Sequence, residues 1–95
     1  VMSKQIGPGE RKELAIYPGG SMFELGCHLI DSLTTLMGRP DRITPFNRMT
    51  HPDRDALVDN QLAVFEYPNA TATIRSSMLE PFGTERRHLT VCGEE

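Results

Sequence analysis

The sequence has no tryptophan, two cysteines and only 6% aromatic residues in 95. Cys27 and Cys92 make no CxxC pair. They are too few for a disulfide scaffold, which fits a reducing compartment and leads us to expect a cytoplasmic protein. No run of apolar residues approaches the roughly 18 that a membrane span needs, and the first residues show no secretory pattern. Positive charge is not in excess: ten basic side chains face thirteen acidic ones, a formal net charge of -3. A nucleic-acid-binding surface is therefore not expected. Also missing is any G-x-G-x-x-G order between a strand and a helix, because Gly7-Pro8-Gly9 and Gly19-Gly20 do not provide it. Without that loop there is no dinucleotide fingerprint.

What remains is ordinary globular material, 38% apolar and 24% charged, of a length that holds at most one domain with a modest core. Residues 1–13, VMSKQIGPGERKE, are polar and interrupted by Gly and Pro, and read as a loop or tail. The abrupt start and finish suggest a piece of something longer. The best-defined boundary is Pro18-Gly19-Gly20, after which Ser21 to Met37 changes to helical periodicity. Ser21 followed by Glu24 makes a capping box, and Gly38 and Pro40 supply stop signals.

Beyond the helix the pattern is that of strands. Ile43 to Met49 reads as a short strand weakened by Pro45, and HPDRD from His51 as a polar loop. Asn60 to Tyr67 and Thr71 to Met78 flank Pro68-Asn69-Ala70, a β-hairpin. Ala72, Ile74, Ser76 and Met78 then take one face, Thr71, Thr73, Arg75 and Ser77 the other. Arg87 to Cys92 reads as one more strand. The expected fold is α+β: a mostly antiparallel sheet of about four strands with one amphipathic helix on one face.

At about 100° per residue, Met22, Phe23, Leu25, Gly26, Leu29, Ile30, Leu33, Leu36 and Met37 fill one side of the helix. On the other side Glu24, His28, Asp31 and Thr35 follow in a stripe about 60° wide. A carboxylate four residues before a histidine can bond one ring nitrogen and fix the tautomer, leaving the other nitrogen to take a substrate proton. Oxidation of an alcohol needs such an acceptor as hydride departs. The same residues also fit a plain solvated face, with Glu24 serving only as a cap. Periodicity does not decide between the two readings.

Other candidates are weaker. His28, His51 and His88 with a cysteine follow no recognised zinc spacing. Arg86 and Arg87 beside His88 can attract an anion, but paired arginines at a strand start are commonly solvated. Tyr17 stands next to the start of the site helix, where it suits either substrate contact or the core.

The run Gly19-Gly20-Ser21-Met22-Phe23-Glu24-Leu25-Gly26-Cys27-His28-Leu29-Ile30-Asp31, ending in Leu36-Met37-Gly38-Arg39-Pro40, resembles the second-domain signature of the glucose-fructose oxidoreductase, inositol dehydrogenase and rhizopine-catabolism family (Gfo/Idh/MocA). The hairpin from Phe65 to Ile74 and the final Leu89-Thr90-Val91-Cys92-Gly93-Glu94 follow that domain's order of elements, and the likeness covers residues 14–95 as a partial C-terminal, substrate-binding and oligomerisation domain. The resemblance implies a separate nucleotide-binding domain holding NAD or NADP, a sugar or polyol substrate, and a homo-oligomer paired through the outer sheet face. It implies that His28 relays the substrate proton, Glu24 orients substrate or histidine, and Asp31 and Tyr17 contact substrate. In the family the acid is usually aspartate, and Glu24 sets its carboxylate about 1.5 Å further out. A non-catalytic oligomerisation or binding module would use the same layers.

Overall fold

The computed structural model describes residues 1–16, 18–79 and 81–93. In chain order they form β1 (Met2–Ser3), α1 (Pro8–Leu14), a π-helical turn (Met22–Gly26) running into α2 (Cys27–Met37), β2 (Arg42–Arg48), β3 (Asn60–Tyr67), β4 (Ala70–Ser77) and a 3-10 turn (Gly83–Arg86). The sheet order is β1-β4-β3-β2. β2, β3 and β4 are antiparallel neighbours, and the short β1 runs parallel to β4 through Met2↔Ser76 and Ser3↔Ser77. The fold is α+β, with a mostly antiparallel four-stranded sheet.

β4 alternates small or apolar inward residues with polar outward ones up to Ser76, and β3 supplies the β-branched and aromatic residues that suit a strand, with Ala63 and Phe65 inward and Leu62 and Val64 outward. The two-residue turn Pro68-Asn69 sets their register, Tyr67↔Ala70 to Asn60↔Ser77. Proline fixes φ at the first turn position. Pro45 is tolerated because β2 is the edge strand, pairing on one side only, with Ala63 opposite Pro45. Strand β2 is largely exposed, so the helix covers β3 and β4 rather than the whole sheet. Under it lie buried Ala63, Phe65 and Ile74, with Met22, Leu29, Ile30 and Leu33 packed against them. A second small cluster, Leu25, Leu57 and Met78, sits below the π turn and takes in Met2, Ile6, Leu14 and Ala15.

Several expectations are corrected. Residues 1–13 are not a loose tail. Pro8 opens α1 at a position where its missing N–H costs nothing. One side chain of α1 then anchors it. Arg11 donates from Nε to Asp55 Oδ2 at 2.8 Å and from Nη2 to Asp59 Oδ2 at 2.7 Å, a buried triad completed by the Thr50 hydroxyl and N–H on Asp59. The fourth strand is β1 rather than Arg87–Cys92, which has no regular pairing. His88 instead exchanges backbone hydrogen bonds with Val1, at 2.8 and 3.2 Å. On the helix, Phe23 and Leu36 are 61% and 65% exposed, so the apolar side is wider than the surface it covers. Ser77, expected outside, is buried beside Ser3.

Candidate active site

The double glycine is the hinge from which the site helix departs. Gly20 has φ +56°, and a Cβ built on it would lie 2.2 Å from the Val58 carbonyl oxygen. Only glycine fits this approach of helix start to loop. The approach brings the Ser21 N–H to the Val58 carbonyl at 2.8 Å.

The hydroxyl and N–H groups next in line are held by the sheet. Gln61 Oε1, on the inward face of β3, accepts from the Met22 N–H at 2.6 Å and lies 2.9 Å from Ser21 Oγ. Gln61 Nε2 donates to Asn47 Oδ1 of β2 at 2.9 Å, and Ser76 Oγ of β4 donates to the Ser21 carbonyl at 2.7 Å. Orphan N–H groups at a helix start need acceptors, and here a glutamine from a neighbouring strand supplies one. Ser21 itself does not cap: its backbone is helical and its side chain makes no cap bond. The capping box expected of Ser21 and Glu24 is therefore not formed. Its physical reason is direct, since the Ser21 N–H that Glu24 would have bonded is taken by Val58.

The Met22–Gly26 turn is π-helical. Such a turn closes i→i+5 bonds and holds one residue more than an α turn. The residues before it are set about 100° out of phase with those after it. Regular α geometry resumes at Cys27, and it stops at Gly38, whose φ of +78° ends the helix. Tyr67 Oη then donates to the Gly38 carbonyl at 3.0 Å, tying the helix end to the hairpin.

His28, Asp31 and Thr35 lie in α2 and are all exposed, on the side away from the sheet. Glu24 lies in the π turn and is half-buried. Among the described residues no hydrogen bond or ion pair joins Glu24 to His28. The stripe drawn at α spacing holds from His28 to Thr35, and the π turn moves Glu24 off its end. His28 is exposed, and among the described residues neither its ring nitrogens nor the Glu24 carboxylate has a hydrogen-bond or ion-pair partner. Tyr17 lies outside the described residues. The other flank of α2, with Leu33, Leu36 and Met37, borders an apolar groove of about 630 Å³ against β4 and the 88–92 segment.

Sequence reasoning missed Gln61, Ser76 and Asn47 as the parts that hold the helix. The signal was present: Gln61 and Ser76 fall on the inward face of their strands among Ala63, Phe65 and Ile74, where an unpartnered polar group would cost about 1–3 kcal/mol. It missed the Arg11 triad as well. There Arg11 holds the Asp55 carboxyl below the usual carboxylate range. Burial pushes Asp59 up, but hydrogen bonds from Thr50 and Arg11 outweigh it and hold this carboxyl low too.

Among the described residues no helix is long and apolar enough to cross a membrane, and no group of three or more His, Cys, Asp and Glu is placed to hold a metal ion. Neither the curated proteins nor the solved structures give a significant match to this sequence. The profile of the GFO/IDH/MocA C-terminal domain matches residues 3–95, taking in α1, the double glycine, the π turn, α2 and the hairpin. With nearly its whole length covered by that profile, the chain belongs to the GFO/IDH/MocA oxidoreductase family, as C-terminal-domain sequence.

Proposed function

We propose that this chain is the substrate-binding and oligomerisation part of an NAD(P)-dependent oxidoreductase acting on a sugar, polyol or related hydroxy compound. The observation that carries the reading is an exposed imidazole, His28, on a helix whose start is locked by sheet side chains, within a domain of an oxidoreductase family. NAD or NADP, held mainly by a nucleotide-binding domain outside these 95 residues, would supply the hydride acceptor. His28 accepts the hydroxyl proton of the substrate as its C–H bond gives up hydride and the C–O bond becomes a carbonyl. Glu24, free of His28, hydrogen-bonds a substrate hydroxyl and so orients the reacting carbon. Asp31 and Tyr17 complete the substrate contacts.

The outer sheet face suits a homo-oligomer. Phe46 and Leu62 pair across β2 and β3 there and are 45% and 36% exposed. The free, exposed Cys27 and Cys92 are in keeping with the cytoplasm.

The test joins this chain to its nucleotide-binding domain and compares His28→Gln with the parent. We expect kcat to fall about a hundredfold, with the NAD(P)H dissociation constant changed less than about twofold. The second reading, a non-catalytic oligomerisation or binding module, is favoured by the absence of a Glu24–His28 hydrogen bond among the described residues. Turnover within a few fold of the parent would rule His28 out as the proton acceptor, whereas a joined parent with no turnover on any sugar or polyol would select the module.

A further inference from the structure

Apart from the site helix, α1 and the 51–55 turn enclose an open cavity of about 490 Å³. That volume lies within the range of small-molecule sites. We propose that this cavity binds a small organic anion, a molecule with a phosphate or carboxylate head on an apolar body.

Its walls carry Lys12 and Arg54, both exposed, and His51, half-buried. Their side chains have no hydrogen-bond or ion-pair partner among the described residues, although Asp55 lies beside them. Among the described residues that line the cavity, the negative charge is that of Asp55. Asp55 and Asp59 are bound to Arg11, and Lys12 and Arg54 together exceed what the triad leaves over. A cavity whose unspent ionisable side chains, among the described residues, are all basic, in a chain of net charge -3, is a local reversal of sign. Such a reversal concentrates anions.

Two further features separate this from a chance patch. Lys12 comes from α1 and Arg54 from a turn forty residues on, and the Arg11 triad fixes one against the other through 2.8 and 2.7 Å bonds. The bases are thus held in place before any ligand arrives, and holding them is a cost the ligand does not meet. Apart from Gln5, the remaining wall is apolar, formed by Ile6, Pro8, Met78 and Leu79. Free phosphate would leave that wall bare, whereas an anion with a hydrocarbon portion covers it. Met78 also belongs to the cluster under the π turn, so an occupant here would touch the packing that supports Leu25.

The 95-residue chain is titrated at constant ionic strength with inorganic phosphate, phenyl phosphate and benzoate, with chloride as the control, and backbone amide shifts are followed by NMR. We expect saturable shifts centred on Gln5, Lys12, His51 and Arg54 for at least one aromatic anion, at lower concentration than for inorganic phosphate. In Lys12→Ala/Arg54→Ala, two exposed positions, the apparent affinity falls at least tenfold while the circular dichroism spectrum is unchanged. If phenyl phosphate saturates before benzoate the head group is phosphoryl, and the reverse order makes it carboxylate. Shifts that rise linearly, match those of chloride, or survive in the double variant overturn the proposal.

Discussion

A methyl group at Gly20 has nowhere to go. With φ at +56° and the Val58 oxygen 2.2 Å from where the Cβ would sit, Gly20→Ala forces either the hinge or the loop to move. Backbone strain and a displaced hydrogen bond together should cost about 2–4 kcal/mol. Urea unfolding reads this directly, and a loss below 0.5 kcal/mol would mean the hinge is soft. Gly38 has positive φ but no atom near its missing Cβ, so only the conformational part of that cost applies there. The double glycine was legible in the sequence as a boundary. That its second member is a contact, rather than a simple turn residue, was not, because nothing in the sequence says that Val58 lies opposite.

Among the elements, the site helix and the hairpin were the readable ones, since each carries its period on its own residues. Helix α2 ends where Gly38 says it must, β3 and β4 pair as the expected hairpin, and β4 shows the expected alternation with Ile74 and Ser76 inward, departing from it at the buried Ser77. The π turn was not readable. An inserted residue leaves the spacing of Met22, Leu25 and Leu29 plausible for an α helix, and only the tertiary hold on Ser21 and Met22 reveals it. Gln61→Ala tests that hold: it leaves the Met22 N–H without its acceptor and removes one of the two partners of the Ser21 hydroxyl, a loss of about 1–3 kcal/mol. Amide exchange at Met22 and Phe23 should quicken by tenfold or more, and unchanged exchange there would show that another group anchors the turn. Likewise α1 was hidden by its composition, as it is held by one arginine reaching across to Asp55 and Asp59 and by the single apolar contact of Leu14 rather than by a periodic apolar face.

That triad sets the behaviour of the whole molecule toward acid. Asp55 and Asp59 have folded pKa values below their unfolded value of about 3.9, so the stability they confer is complete above that value. It is lost as pH falls through the lower, folded values. Urea midpoints should accordingly stay level from pH 8 to about 5 and drop below about 4. Arg11→Leu strips both carboxylates of their cation and should cost about 3–5 kcal/mol at pH 7. The variant should regain part of this on acidification to pH 4.5, the opposite slope to the parent. Equal losses at both pH values would show that Arg11 acts through packing alone.

Association belongs to the same scale. Leu62 pairs with Phe46 on the outer face, and Leu62→Lys places a charge at the centre of the proposed contact between copies. Sedimentation velocity should show the assembly shifted to monomer, with the circular dichroism spectrum retained. An unmoved sedimentation coefficient would assign the contact elsewhere.

The side chains that pin the start of the site helix, Asn47, Gln61, Ser21 and Ser76, gain and lose no proton in the physiological range. The orientation of His28 is consequently the same in mild acid and in mild base. Under the proposed function, a bend in the rate-against-pH curve of the joined protein would then have to come from groups that titrate, and not from these four side chains rearranging beneath them.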